Sequence, residues 1–165
     1  MVKIQAYIMP SVFLIGALIS SNSGHAQAAT ATATMAVSAT VLSFCTIAAL
    51  PLAFGSYSSV VLAATSTLTV ACTTGTTYNI GLDNGIGSGA TPAIRKMSYL
   101  TNSLNYSVYS DAAHSTVWGP TVGTNTVTGT ATGLAQVLTV YGQVPAAQLA
   151  APGAYTDTVT ATITY

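Results

Sequence analysis

Threonine and small apolar residues alternate with a period of two along much of this chain. The clearest run is Ala29–Val41, where odd positions are apolar and even positions are mostly Thr or Ser. A second run, Tyr155–Tyr165, places five Thr on one face and five apolar or aromatic residues on the other. Side chains alternate between the two faces of a strand, whereas a helix repeats about every 3.6 residues. The pattern therefore predicts an all-β protein.

The remaining predicted strands are short and are separated by turns rich in Gly, Pro, Asn and Asp. We expect strands over Thr65–Cys72, Tyr78–Leu82, Leu104–Tyr109 and Ala135–Val144. The polar, Thr-rich stretch Gly123–Gly133 is predicted to be a long exposed connection. Strands of this length and spacing favour an antiparallel β-sandwich of immunoglobulin type.

The N-terminus has the features of a secretory signal peptide. Lys3 supplies the positive charge, Ile8–Ile19 is largely apolar, and Ala26-Gln27-Ala28 matches a small-x-small cleavage site. A membrane-spanning helix is the weaker interpretation, because the apolar run is about 12 residues long and a span needs about 20. Residues 1–28 are therefore predicted to be removed, leaving 137 residues, the size of one domain.

The chain contains two cysteines, Cys45 and Cys72, and both follow the predicted signal peptide. Exported proteins fold in oxidising compartments, so we expect one intrachain disulfide between them. It would close a loop of 28 residues and stabilise the fold by about 3–4 kcal/mol. A metal site is not expected, because His114 is the single histidine after the signal peptide and no CxxC motif is present.

Charged residues are scarce, at 4% of the chain. Those that follow the signal peptide are Arg95, Lys96, Asp83, Asp111 and Asp157. Two cations cannot form the basic footprint that a nucleic acid or an anionic membrane requires. A surface with so little charge associates easily, which suits a protein that packs against copies of itself.

The sequence gives little support for catalysis, and neither catalytic residues nor cofactors are predicted. His114 lies in a short predicted turn, no GxSxG motif occurs, and three Asp without any Glu are a poor source of paired carboxylates. A carbohydrate-binding module is a further alternative, since eight tyrosines and Trp118 could stack on sugars. Most of these aromatic residues alternate with polar residues in predicted strands, which favours core or interface packing.

The two ends of the mature chain point to strand exchange between molecules. The sandwich ends on a strong strand, and a spare alternating segment precedes the first cysteine. A sandwich that lacks its last strand exposes a sheet edge and part of its core. A strand from a neighbouring molecule could fill that gap by β-augmentation.

An ordered set of short motifs gives the chain a family resemblance. The motifs are Cys45-Thr46-Ile47, Leu52–Tyr57, Leu68–Thr73, Tyr78–Gly85, Arg95-Lys96-Met97, Leu104–Asp111, Trp118-Gly119, Val140–Pro145 and Gly153–Val159. In this order the chain resembles the spore coat protein U domain, the fold of archaic (Csu-type) chaperone–usher pilins.

The resemblance implies a structural subunit of an adhesive pilus, exported through the periplasm to the surface of a Gram-negative cell. Its expected partners are identical or related pilin subunits, a periplasmic chaperone that lends a strand, and an outer-membrane usher. The fold would be an incomplete immunoglobulin-like sandwich completed by a donor strand. Two alternatives stay open, a spore or cell-surface coat protein of the same fold and a surface-binding tip or adaptor subunit.

The same resemblance assigns roles to parts of this sequence. Residues 29–41 would be the donor segment running into the first strand, and residues 42–165 would form the pilin domain. The side chains expected to plug a neighbour's groove are Ala31, Ala33, Met35 and Val37. The candidates for the acceptor groove on the terminal strand are Tyr155, Val159, Ala161, Ile163 and Tyr165.

Overall fold

The structure is a computed structural model that describes residues 27–165, so nearly all of the predicted signal peptide lies outside the described residues. The chain divides after Ser38 into two units. Within the first unit, residues 27–38 are exposed and belong to no strand. The second unit, Ala39–Tyr165, is a β-sandwich.

Eight strands form the sandwich unit. They are β1 (Cys45–Ala49), β2 (Leu62–Cys72), β3 (Thr77–Leu82), β4 (Arg95–Tyr99), β5 (Asn102–Tyr109), β6 (Val127–Thr130), β7 (Gln136–Val144) and β8 (Ala161–Thr164). Along residues 27–165, no helix has the length and apolar character needed to cross a membrane.

The strands pair into a five-stranded sheet of order β1-β2-β7-β5-β4 and a three-stranded sheet of order β6-β3-β8. Every neighbouring pair is antiparallel. The longest ladder joins β2 to β7, from Leu62 opposite Val144 to Val70 opposite Gln136. The prediction of an all-β antiparallel sandwich is confirmed.

The core lies between the inward faces of the two sheets. On β2 the period-2 pattern buries Leu68 and Val70, and on β3 it buries Tyr78 and Ile80. Trp118, in the connection after β5, is also buried, and its Nε1 donates a 2.8 Å hydrogen bond to the carbonyl of Ile80. The indole therefore fills core volume while its one polar atom is satisfied.

The prediction of an exposed connection over Gly123–Gly133 is wrong in part, because β6 lies within it and pairs with β3. Its inward positions are Val127 and Gly129, and Gly129 leaves space for the Tyr78 ring, whose hydroxyl oxygen lies 2.5 Å from where a β-carbon would stand. A strand whose inward positions are partly glycine gives a weak period-2 signal.

The strand predicted over Tyr155–Tyr165 is also shorter than expected, since only Ala161–Thr164 forms β8. The preceding residues cross from one sheet to the other. Thr156 exchanges backbone hydrogen bonds of 2.8 and 3.2 Å with Ser98 of β4, and the carbonyl of Thr160 accepts from the N–H of Asp83. This crossing segment, residues 155–160, borders the candidate site.

Candidate functional site

Two clefts open onto the inner face of the five-stranded sheet. The narrow cleft has a volume of about 410 Å³ and reaches Leu68, Val108 and Val140, which are core residues. The wide cleft has a volume of about 630 Å³ and reaches Leu104 and Val144. A folded domain normally closes its core at native packing density, so an open core of this kind marks a missing element.

The two clefts form one groove. Leu52, Phe54, Met97 and Tyr155 line both of them. The near wall is the segment Ala49–Tyr57, and the far wall is residues 150–161, which end at the first residue of β8. We call this continuous space the acceptor groove.

Both walls of the acceptor groove present backbone groups without partners. On the far wall, Thr156 and Thr160 use their backbone groups to bond the two sheets. In an extended chain the groups of Asp157 and Val159 then point the opposite way, into the groove, and they bond to nothing in the described part of the chain. On the near wall, the backbone of Leu52–Tyr57 likewise forms no hydrogen bond within the described residues.

The near wall is held in place by its side chains. Leu52 and Phe54 pack on Gly142 of β7, where a β-carbon would stand 2.7–2.8 Å from their side-chain atoms. The Phe54 ring meets the Tyr106 ring edge-on at a centroid distance of 5.8 Å. Tyr57 donates a 2.8 Å hydrogen bond from its hydroxyl to the carbonyl of Pro145.

The far wall is held by the carboxylate of Asp157. It accepts hydrogen bonds from the Tyr106 hydroxyl at 2.7 Å and from the Ile86 N–H at 2.8 Å. Gly85 is required beside it, because a β-carbon there would lie 2.1 Å from an Asp157 oxygen and its φ is +76°. Burial, followed by the hydrogen bond donated to Asp157, raises the pKa of the Tyr106 hydroxyl, which therefore remains a donor.

Asp83 fixes the next residues of the same wall. Its Oδ1 accepts from the N–H groups of Gly85 and Thr160, each at 2.9 Å. Burial by itself would raise the pKa of this carboxyl, but these N–H groups, together with the nearby positive charge of Arg95, lower the pKa below its usual 3.8.

Arg95 is fully buried behind the wall and binds backbone rather than a carboxylate. Its guanidinium donates to the carbonyl oxygens of Asp83, Pro92, Leu82 and Trp118 over 2.7–3.1 Å. Burial lowers the pKa of this group, and the nearby charges on Asp83 and Asp157 oppose that change. One side chain thus ties three loops to one another, and Asp83 and Tyr106 bond those surroundings to the crossing segment. We call Arg95, Asp83, Tyr106 and Asp157 the polar cluster.

The predicted disulfide is present. The Sγ atoms of Cys45 and Cys72 lie 2.02 Å apart, and the two residues face each other across the β1–β2 ladder. The bond lies at the start of β1, directly after the exposed segment.

The structure brings three of the five predicted acceptor residues to the groove, since Tyr155, Val159 and Ala161 line the narrow cleft. Ile163 lies farther along β8 opposite Ile80, half-buried beside the core. Tyr165 is 55% exposed.

The predicted donor side chains lie in the exposed N-terminal stretch. Ala31 and Ala33 are exposed, and Met35 and Val37 are each 86% exposed.

Sequence reasoning missed the near wall and the polar cluster. The alternation of Leu52 and Phe54 was a usable signal for the wall, because both face the groove with Ala53 between them. A lone Arg gives no signal that it will be buried against carbonyl groups. Within residues 27–165, no three metal-binding side chains come together. His114 packs edge-on against Tyr109 and Tyr141.

Comparison with known proteins places this geometry in a family. The model of the Spore Coat Protein U domain matches residues 31–162. Protein U of Myxococcus xanthus is 38% identical over 158 residues, which cover 85% of this chain and 88% of that protein.

A solved structure shares the fold. It is the pre-assembly complex of CsuC and CsuE, a chaperone and a tip adhesion subunit of the archaic chaperone–usher Csu pili of Acinetobacter baumannii. The TM-score is 0.55 and the identity is 23%, over 76% of this chain and 40% of that one, so this chain spans well under half of its length. Together with the family match, the open sandwich identifies the chain as a member of the Spore Coat Protein U domain family.

Proposed function

We propose that this protein is the structural subunit of a pilus-like surface fibre, which grows when residues 29–37 of one copy enter the acceptor groove of the next. The observation that carries the proposal is the groove itself. It reaches the core, and both of its walls present backbone groups that form no hydrogen bond within residues 27–165. A strand inserted between Leu52–Tyr57 and residues 155–160 would satisfy both walls at once.

The exposed N-terminal segment has the properties that such a strand needs. The apolar side chains at its odd positions would all face the core when the backbone pairs with the walls, and Ala36 is the one apolar residue on the opposite face. It contains neither Pro nor Gly to interrupt pairing, and it carries no charge to bury. The donor side chains are Ala31, Ala33, Met35 and Val37.

The proposal includes an export route and partners. An open groove is a template for aggregation, so a chaperone that lends a strand would have to cover it before assembly. The structural relative was solved in a pre-assembly complex with a chaperone. An outer-membrane usher would then exchange the chaperone strand for the next subunit, and the fibre would stand on the surface of a Gram-negative cell. The groove serves binding, and we assign the protein no enzymatic role.

A coat protein is a second candidate. Two observations favour it, the 38% identity with Protein U and the description of the matching family as the Spore Coat Protein U domain. Strand exchange would link subunits in a coat as well as in a fibre. Immunogold labelling separates the two, since it would decorate thin fibres in one case and a continuous layer in the other.

The test introduces charge on one face of the donor segment. In the mature protein, expressed with its chaperone and usher, Met35→Asp with Val37→Asp would place two carboxylates in the groove. Thr34→Asp with Ser38→Asp adds the same charge to the opposite face and is the matched control. We expect the first pair to abolish fibres seen by electron microscopy and the second pair to preserve them. Fibres that survive both pairs would contradict the proposal, as would fibres built from a subunit lacking residues 29–37.

A further inference from the structure

One end of the sandwich gathers three loops, which we call the loop pole. They are residues 58–61 before β2, the β4–β5 turn at Leu100, and residues 145–153 after β7. The N–H of Ala147 donates to the carbonyl of Ser59 at 2.9 Å, and Gly153 lies against the ring of Tyr99. Gln148 exchanges hydrogen bonds of 2.7 and 2.9 Å with the backbone of Asn105. The three loops therefore form one connected surface.

The loop pole exposes large apolar side chains. Leu149 and Leu100 are 103% and 83% exposed, and Val60 and Val61 are more than half exposed. In residues 27–165, three of the four non-glycine residues with positive φ also lie here, namely Ser59, Leu100 and Ala147. Such backbone costs energy and persists where surrounding contacts impose it. The loops thus hold these apolar side chains out toward solvent.

The opposite end also exposes apolar residues. We call it the disulfide pole, because it surrounds Cys45 and Cys72. Val41, Leu42, Phe44 and Leu134 are 63–81% exposed there. Thr73 holds the entering chain by exchanging backbone and hydroxyl hydrogen bonds with Phe44 and Leu42 over 2.9–3.3 Å. This set, like the loop-pole set, contains no charged residue.

The acceptor groove has a direction. The wide cleft reaches the loop pole, where Ser59, Gln148 and Gly153 line it. The narrow cleft runs toward the other end, where β1 and β8 come into contact. A donor strand that enters at the loop pole places Met35 and Val37 in the wide cleft and the smaller Ala31 and Ala33 in the narrow one. In this direction the larger donor side chains lie in the cleft of larger volume.

We propose that the loop pole of each copy packs directly against the disulfide pole of the copy that donates its strand. The proposal rests on the proposed function and adds a second contact to it. Val37 ends the donor and Leu42 is tied to its own domain, so the five intervening steps span at most about 18 Å. The donating copy therefore brings Val41, Leu42 and Phe44 to the exposed leucines and valines of the loop pole. Two different surfaces that meet head to tail build an open filament.

The experiment uses full-length mature protein assembled into fibres. Leu100→Asp with Leu149→Asp changes the loop pole, and Val41→Lys with Leu42→Lys changes the disulfide pole. In fibres of a chain with all four substitutions, the Asp residues of each loop pole would lie opposite the Lys residues of the neighbouring disulfide pole. Val122→Asp, at an exposed apolar residue outside both sets, is the control. The readout is the rate at which fibres dissociate into subunits in urea, with the urea unfolding of the chaperone-bound subunit as the check on folding.

We expect each pole pair to speed dissociation about tenfold, because changes at an interface act mainly on the off-rate. The four-substitution chain should return to within about threefold of the native rate, and the control should not differ from native. Native rates for both pole pairs, or a four-substitution chain that dissociates faster than either pair, would overturn the pole contact. The strand-exchange proposal would survive that result, since it fails only if the donor-face pair Met35→Asp and Val37→Asp still forms fibres.

Discussion

The two sides of the crossing segment, residues 155–160, differ in whether their polar groups have hydrogen-bond partners. On the side facing the polar cluster, Thr156 bonds Ser98, Thr160 bonds Asp83, and the carboxylate of Asp157 accepts from Tyr106. On the groove side, the backbone of Asp157 and Val159 lacks a partner within the described chain. The comparison indicates that rigidity on one side keeps the other side extended and open. An edge held this way is ready to pair without further ordering cost.

Removal of Arg95 should break the rigid side most severely. In Arg95→Met, four carbonyl groups lose their donor in a buried site. Each buried acceptor left without a donor costs about 1–3 kcal/mol, so we expect a loss of at least about 3 kcal/mol in the free energy of unfolding, measured by urea denaturation of the subunit. The neighbouring Lys96→Met is the control, because Lys96 makes one exposed hydrogen bond to the carbonyl of Ser88. Equal losses in the two variants would contradict the role given to Arg95.

A smaller loss is expected from Tyr106→Phe, which removes the hydroxyl bonded to Asp157 at 2.7 Å. Hydrogen bonds to charged groups contribute about 1.5–3 kcal/mol, and we expect a destabilisation in that range by urea denaturation. Tyr141→Phe, on the outward face of β7, serves as the control and should be close to neutral. If Tyr106→Phe also left stability unchanged, Asp157 would be positioned by its N–H donors alone.

Acid should loosen the rigid side through Asp83. The pKa of this carboxyl is lowered in the folded protein, so its contribution to stability is present above pH 3.8 and is lost as pH falls through the folded pKa. Asp83→Asn should therefore flatten the acid limb of a plot of unfolding free energy against pH. Asp111, whose pKa is lowered to about 2 chiefly by the N–H of Ser115, titrates with the same sign. Asp111→Asn should therefore be present both in the reference protein and in the Asp83→Asn variant. If Asp83→Asn left the slope of unfolding free energy against pH unchanged, the role given to Asp83 would be refuted.

The smallest expected effect is a change in amide hydrogen exchange on the groove side of the crossing segment, with no change in stability. Amide hydrogen exchange should find Thr156 and Thr160 protected in the free subunit and in the fibre, because both already donate hydrogen bonds. Asp157 and Val159 should exchange freely in the subunit and become protected in the fibre, where the donor strand pairs with them. If the amide of Val159 were already protected from exchange in the free subunit, the groove would be closed before assembly.

The sequence predicted the features that rest on repetition and on covalent chemistry. Alternation of apolar and polar residues identified β2, β3, β5 and β7, although the clearest run, residues 29–41, belongs to no strand. Two cysteines behind an export signal specified their own bond. What it did not predict depends on tertiary contacts. The strand around Gly129 was missed because an inward glycine breaks the apolar pattern. Glycine is needed there since the ring of Tyr78, which is distant in sequence, occupies the space of a side chain. The polar cluster was missed for the same reason, since Arg95 bonds carbonyl groups 3 to 23 residues away.

The residues of the groove were predictable to the extent that they lie on one strand pattern. Tyr155, Val159 and Ala161 alternate, and they do line the narrow cleft. The prediction extended the strand back to Tyr155, but the chain there changes from one sheet to the other at Thr156 and Thr160. Nothing in a period-2 pattern records which sheet a strand pairs with, so the crossing was not visible in the sequence.

The position of the disulfide determines how this molecule would carry mechanical tension. A pull transmitted through a neighbour's groove would reach each subunit along residues 39–44. It would arrive first at the hydrogen bonds that tie Leu42 and Phe44 to Thr73, and then at Cys45. From Cys45 the covalent bond passes the force directly to Cys72, at the end of the long β2 strand, which is held by β7 through nine residue pairs. Strand β1 is thereby bypassed, and a filament under load would not yield by peeling β1 from the sheet.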